Sequence, residues 1–167
     1  MGDLTIGINL PGSCSTPKSL TEGLRRITDD GYEVAEVGLD TFPLIIEGEV
    51  NDRYVSWLKE QLGSMPLRYS AHIDGKVNLR SLDNYQLNRQ VLYCSIDICA
   101  ALGMSPLVLH FELESESLEI EERFYSDHRK AADYAEGKGV LLCMENIEVE
   151  KVEPVVRMVE SLDHPNF

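Results

Sequence analysis

Short apolar runs of strand length alternate with longer stretches of helical periodicity along the whole chain, and this alternation restricts the possible folds more than any other feature. Strands that are each followed by a helix are typical of a parallel sheet covered by helices. We predict five such units in 167 residues. They recur about every 33 residues, a spacing that fits both a β/α barrel and a doubly wound open sheet.

The sequence also predicts where these elements begin and end. Predicted strands cover residues 4–10, 34–39, 67–73, 107–111 and 140–146, and predicted helices cover residues 19–30, 51–62, 84–102, 118–136 and 152–162. Ser19 and Glu22 have the spacing of a capping box, which predicts that the first helix starts at Ser19. Gly31, Gly63 and Gly103 follow three of the predicted helices, as is usual at helix ends.

Two glycine-rich signatures of nucleotide-binding folds are missing from the sequence. No G-x-G-x-x-G segment lies between the first predicted strand and the first helix, and no Walker A loop occurs anywhere. A Rossmann fold is therefore disfavoured. A five-stranded flavodoxin-like sheet remains as the alternative to a barrel, because periodicity alone does not distinguish the two.

Acidic residues dominate the charge of the chain. Twenty-nine Asp and Glu residues outnumber fifteen Lys and Arg residues, which gives a net charge of −14. Such a chain repels a polyanion unless a local basic patch overcomes the overall field, and the sequence has only short basic pairs such as Arg25 and Arg26, so we do not expect nucleic acid as a partner. The N-terminus lacks a basic start, and no apolar run has the length of a membrane span, which predicts a cytoplasmic protein without membrane contacts.

Three side chains that can bind a metal ion end three successive predicted strands: His72, His110 and Glu145. In a parallel barrel the carboxyl ends of the strands meet on one face, where active sites are built. Imidazole nitrogen and carboxylate oxygen are both good ligands for divalent cations. We therefore predict that these three side chains share a site. The two other histidines, His128 and His164, are predicted to lie on the surface.

Six short segments are informative through their order and their intervals. They are residues 31–36 (GYEVAE), 69–72 (YSAH), 77–79 (VNL), 100–103 (AALG), 108–110 (VLH) and 142–146 (LCMEN). Together they resemble the xylose isomerase-like superfamily, which includes sugar isomerases and apurinic endonucleases, over essentially the whole chain. The resemblance implies a (β/α)8 TIM barrel, of which this chain would hold about five β/α units with a parallel sheet.

The resemblance also implies a function and a set of site residues. A divalent metal ion, zinc, manganese or magnesium, would lie at the barrel mouth of a sugar or sugar phosphate isomerase or epimerase of carbohydrate metabolism. Glu145 matches the metal-binding glutamate at the end of the fifth strand and is the expected catalytic residue. His72 and His110 match histidines that bind metal in the endonucleases and line the substrate pocket in the isomerases. Glu36 and Asn146 are expected to contact the substrate.

Two other functions remain open. The first is an apurinic endonuclease, which is favoured by the two histidines and disfavoured by the net charge. The second is a non-catalytic oligomeric barrel fragment with a structural or small-molecule-binding role. Some ketose epimerases of the superfamily have a proline after the fifth-strand glutamate and a second glutamate six residues on. Asn146 and Lys151 occupy those places here, so this substrate class is not supported by the sequence.

The remaining metal ligands of the superfamily would lie beyond Phe167. We therefore expect residues 1–167 to form a single barrel domain that stops before the sixth strand, with residues 164–167 leading towards that strand. Open edges are expected at the first and last strands. The inward faces are predicted to be apolar, from Ile6, Ile8, Val34, Val108 and Leu141. Both features predict a homo-oligomer with a large apolar interface.

Overall fold

The computed structural model describes residues 5–146 and 151–167. In chain order its elements are β1 (Gly7–Asn9), α1 (Pro17–Asp29), β2 (Val34–Gly38), β3 (Ile45–Ile46), β4 (Glu49–Val50), α2 (Asp52–Gly63), β5 (Arg68–His72), α3 (Tyr85–Leu102), β6 (Leu107–His110), α4 (Leu118–Glu136), β7 (Leu142–Glu145) and α5 (Glu153–Leu162). The five predicted strands and five predicted helices are all present, with ends that differ by at most three residues. Leu4, which the first strand was predicted to include, lies outside the described residues.

The strands β1, β2, β5, β6 and β7 form one parallel sheet, and they follow each other in the sheet as they do in the chain. Crossover connections between parallel strands are almost always right-handed, so an unbroken order places every crossover helix on the same face. In a flavodoxin-like sheet the order reverses once and helices cover both faces. The alternative fold is therefore excluded, and the architecture is that of a partial TIM barrel.

One face of this sheet is apolar and packs against the helices. The register places four fully buried residues side by side on β2, β5, β6 and β7: Val37, Ala71, Leu107 and Leu142. They belong to a core that also contains the apolar stripes of the helices, such as Leu20, Leu24 and Ile27 of α1. Burial of this face holds the helices on the outside of the sheet.

The other face is mostly polar, so the prediction of an apolar inward face was wrong. Residues that share this face by strand register are Asn9, Val34, Glu36, Ser70, His72, Val108, His110, Cys143 and Glu145. Val34 and Val108 are on it as predicted. Ile8 pairs with buried Ala35 and so lies on the helix side, while Ile6 and Leu141 are exposed. Side-chain alternation along each strand separates the two sets.

The first helix starts earlier than its predicted capping box. Pro17 is its first residue and Thr16 is its N-cap. The Thr16 hydroxyl accepts a hydrogen bond from the Ser19 amide, and the Ser19 hydroxyl accepts one from the Thr16 amide. Ser19 is therefore the third helical residue of the capping box, not its cap, because Pro17 has a backbone angle suited to the first turn.

His128 and His164 are not surface residues, contrary to the prediction. His128 is 3% exposed and lies on the buried stripe of α4 with Phe124 and Ala131. The side chain of His164 is 8% exposed, and its Nε2 lies 3.3 Å from Asp133 Oδ1. His128 therefore sits in the packed interior, the side chain of His164 is largely covered, and neither belongs to the three predicted metal ligands.

The two edges of the sheet differ. Among the described residues no strand pairs with the outer side of β1. At the other edge the Leu142 amide donates to the Asn166 carbonyl at 3.1 Å, so Asn166 covers part of the outer side of β7. Of the helices in the described ranges, none is both long enough and apolar enough to cross a membrane.

Candidate metal centre

The strand register brings three predicted ligands to one end of the polar face. Gly38 on β2 is level with His72 on β5, and His110 on β6 is level with Glu145 on β7. His72, His110 and Glu145 are the last residues of their strands. Because neighbouring strands in a parallel sheet present registered side chains on the same face, the three side chains project into one space at the carboxyl end.

The three side chains meet closely. His72 Nε2 lies 3.1 Å from Glu145 Oε2 and 3.1 Å from His110 Nε2, and His110 Nε2 lies 3.9 Å from Glu145 Oε2. Among the described residues these are the His, Cys, Asp and Glu side chains that could share a metal ion. Two ligands bound about 2.1 Å from one ion lie about 3.0 to 3.4 Å apart at the usual coordination angles. Two of the three distances between these ligand atoms, both 3.1 Å, agree with this spacing.

The protonation of His72 shows why a cation fits here. Its Nδ1 lies 3.0 Å from the carbonyl oxygen of Ile73, which can only accept, so Nδ1 carries a hydrogen. In the neutral ring Nε2 then has only a lone pair, and it faces the carboxylate of Glu145, which is also an acceptor. Two acceptors this close repel each other unless a proton or a metal ion lies between them. The donor set therefore suits a divalent cation.

The exposure of the three side chains falls from one side of the site to the other. Glu145 is 42% exposed, His72 is 24% exposed and His110 is 8% exposed. The group is therefore anchored on the buried side by His110 and open to solvent beside Glu145. A site with three protein ligands and an open side is the arrangement found in catalytic metal centres, which keep a position for water or substrate.

Glu36 lies on the same face but outside this group. It is half-buried and level with Ser70 on β5 and Asn9 on β1, one row below His72. The alternation of side chains along β2 thus places Glu36 on the polar face. Asn146 follows Glu145 directly after β7 and is half-buried. Burial raises the pKa of Cys143 on this face, so the thiol stays protonated and is a poor metal ligand.

Two features near the carboxyl ends were missed by the sequence analysis. The first is a hairpin of β3 and β4, which helps to form a cavity of about 530 Å³ between the loop after β2 and helix α3. Asp40, Glu47 and Asp74 are among its lining residues. The strands have only two residues each, which is too short for a periodic signal.

The second missed feature is a buried ion pair behind the site. The Arg80 side chain is 4% exposed and binds both carboxylate oxygens of Glu121, at 2.6 and 2.9 Å. Its guanidinium also lies 3.5 Å from the centre of the Phe124 ring. Only the fold brings Arg80 to Glu121, because the two residues are more than forty positions apart in the chain.

The order of the strands and the polar inner face of the sheet define a β/α-barrel protein. The group of His72, His110 and Glu145 gives it a candidate metal centre at the carboxyl ends of the strands. A family model described as xylose isomerase-like TIM barrel matches residues 24–167. The chain therefore belongs to the xylose isomerase-like TIM barrel family, as the resemblance of its motifs predicted. A comparison with curated proteins finds no significant match.

Solved structures with this fold include sugar epimerases. A D-allulose 3-epimerase from Methylomonas sp. in complex with D-allulose has a TM-score of 0.75 and 19% identity, covering 98% of this chain and 60% of that one. An L-ribulose 3-epimerase has a TM-score of 0.72 and 16% identity, covering 96% and 58%. A xylose isomerase-like TIM barrel protein from Mycobacterium smegmatis in complex with magnesium has a TM-score of 0.69 and 14% identity, covering 90% and 55%. The chain thus spans 55–60% of the length of these three structures.

Proposed function

We propose that His72, His110 and Glu145 hold a divalent cation, and that the protein acts as a sugar or sugar phosphate isomerase or epimerase. The meeting of three ligand atoms within 4.8 Å of one another at the carboxyl end of the sheet carries this proposal. We also propose that residues 1–167 belong to one barrel domain. The D-allulose complex of one neighbour and the magnesium complex of another support the sugar and the cation, at the level of the shared fold.

Each residue has a distinct role in this proposal. A divalent cation supplies positive charge that stabilises an oxyanion on the sugar. Glu145 directs Oε2 towards the histidines, and its second oxygen is left to move a proton at the carbon next to the sugar carbonyl. Glu36 and Asn146 would hold sugar hydroxyls by hydrogen bonds. The Ile73 carbonyl holds the ring of His72 through Nδ1, so that Nε2 would be free to bind the cation.

Metal binding is tested by calorimetric titration of the purified protein with zinc, manganese and magnesium. We expect weak, saturable binding, and we expect Glu145→Ala to lower the affinity at least about tenfold because it removes a direct ligand. Glu160→Ala is the matched control, since Glu160 is exposed on α5, away from the strand ends. Equal affinities for the two variants would show that the ligands are wrongly assigned.

Proton transfer is tested separately in heavy water. The protein is incubated with a divalent cation and with D-allulose, L-ribulose or a ketose phosphate, and each recovered sugar is examined by mass spectrometry. Exchange of one carbon-bound hydrogen for deuterium is expected with at least one substrate, because isomerases and epimerases remove a proton next to a carbonyl. The exchange should disappear in Glu145→Ala and persist in Glu160→Ala. Saturable metal binding without exchange on any sugar would reject the isomerase proposal.

An apurinic endonuclease is the second candidate, because two histidines are among the three ligands. The net charge of −14 opposes DNA binding, and acidic side chains line the cavity near the strand ends. A gel-mobility assay on DNA with an abasic site separates the candidates. We expect no shift and no strand cleavage in the presence of zinc or magnesium.

A further inference from the structure

One ring nitrogen of His110 is buried without a hydrogen-bond partner in the part of the chain that the structure describes. Nε2 faces the proposed cation site, while Nδ1 is fully buried and makes no hydrogen bond among the described residues. A buried polar nitrogen without a partner costs about 1 to 3 kcal/mol. If Nε2 binds a cation, Nδ1 carries the proton of the neutral ring and needs an acceptor, as metal-binding histidines usually have.

A small cavity lies beside His110. Besides His110, it is lined by Ile73, Val77, Leu79, Leu92, Leu109, Glu112 and His128. Its volume of about 10 Å³ is close to the minimum of roughly 10 to 15 Å³ that one water molecule requires. Gly75 closes the loop over the ring, because a Cβ at that residue would lie 3.2 Å from His110 Cε1. The cavity therefore has room for one water and for no larger ligand.

The lining combines apolar walls with two further polar residues. Glu112 is held in place by Arg80, whose Nη1 donates to the Glu112 carbonyl at 2.7 Å and lies 3.9 Å from its carboxylate Oε2. His128 directs Nδ1 to the carbonyl of Phe124 at 2.8 Å. That nitrogen carries the hydrogen, so the other ring nitrogen is an acceptor. A water next to His110 thus has acceptors on its walls, which an empty apolar cavity lacks.

We propose that this cavity holds one buried water that accepts a hydrogen bond from Nδ1 of His110 and donates to the carboxylate of Glu112. Glu112 is then a positioning residue, which acts on the cation through the water and His110. A water can reverse its role and donate to Nδ1 when no cation is bound, whereas a carboxylate in direct contact could only accept. This arrangement rests on the proposed cation site and adds a residue to it.

The water is tested first without any metal. A crystal structure of the chain at a resolution that reveals ordered water should show one within hydrogen-bond distance of His110 Nδ1. Val77→Ile adds one methylene to the lining and should exclude the water while leaving the fold unchanged. An empty cavity in the unsubstituted protein would overturn the proposal whether or not the protein binds metal.

The role of Glu112 is tested by zinc titration of protein with ¹⁵N-labelled histidine. Zinc should place the His110 proton on Nδ1, and Glu112→Gln should shift that proton resonance and weaken zinc binding about tenfold. Glu116→Gln, on an exposed residue of the same loop, should change neither. The shift of the His110 proton resonance distinguishes a positioning role from a loss of stability. A variant that is only less stable would unfold at a lower urea concentration but would keep the resonance of the folded protein. A Glu112→Gln protein with unchanged resonance and affinity would refute the role of Glu112. Absence of zinc binding in the unsubstituted protein would refute the proposed function and leave the water to be judged by the crystal structure alone.

Discussion

Replacing Glu121 by glutamine is expected to destabilise the fold by about 3 kcal/mol, because it leaves a buried charge unpaired. Arg80 is 4% exposed, and its Nε and Nη2 donate to the two oxygens of Glu121. Glu121 Oε1 also accepts from the Ser115 amide at 2.7 Å. Glutamine keeps the shape of the side chain, but its amide nitrogen would face donors, so at least one of these hydrogen bonds is lost.

The size of the loss follows from the number and kind of these contacts. Hydrogen bonds to charged groups contribute about 1.5 to 3 kcal/mol each, and removing one partner of a buried pair costs about 3 to 5 kcal/mol. Since glutamine retains one accepting oxygen and Glu121 is 19% exposed, the lower end of that range applies. Glu122→Gln is the matched control on an exposed neighbour in α4, and it should change stability by less than about 0.5 kcal/mol.

Urea denaturation at neutral pH, followed by circular dichroism, measures both variants. The difference should also depend on pH. Burial alone would raise the pKa of Glu121, but hydrogen bonds from Arg80 and Ser115 lower it overall. A lowered carboxyl pKa stabilises the fold above the unfolded pKa, and this stabilisation is lost as the pH falls through the folded pKa. The gap between wild type and Glu121→Gln should therefore narrow in acid. Equal stability of Glu121→Gln and Glu122→Gln at neutral pH would refute this account of the ion pair.

Three further predictions concern stability and assembly. Burial lowers the pKa of His128 from 6.5 to about 4, so stability is full above pH 6.5 and falls by about 3 kcal/mol as the pH drops to about 4. His128→Gln should lack this component in urea titrations at about pH 7 and about pH 4.5, and equal pH dependence of the two proteins would count against it. Gly23→Ala places a Cβ 2.6 Å from Cys14 Sγ, whereas a Cβ at Gly63 meets nothing within 4 Å. Thermal unfolding should show Gly23→Ala destabilised by about 1 kcal/mol and Gly63→Ala stabilised by about 0.5 to 1 kcal/mol. A stabilised Gly23→Ala protein would contradict the predicted clash with Cys14. The open outer edge of β1 and the exposed side chains of Ile6 and Ile8 predict association into a homo-oligomer. Sedimentation equilibrium at micromolar concentration measures the mass of the particle, and a stable monomer would refute this prediction.

Local sequence signals were sufficient to predict the five strand–helix units and their order, but not the short hairpin of β3 and β4. Apolar periodicity and helix-ending glycines located all five units, because both report on a few neighbouring residues. His72, His110 and Glu145 were recognised as candidates for the same reason: each is a polar residue at the end of an apolar run. Recurrence at equivalent places made the shared face predictable without coordinates.

Only the tertiary structure decided which face each residue occupies and which distant residues meet. Strand register, a property of pairs of strands, placed Ile8 on the helix side and Glu36 on the polar side. The burial of His128 and the pairing of Arg80 with Glu121 depend on helices and loops that pack together from separate parts of the chain. Charge and hydropathy describe a residue by itself, whereas burial depends on its neighbours in space, and for this reason a histidine in a polar stretch of α4 lies in the core.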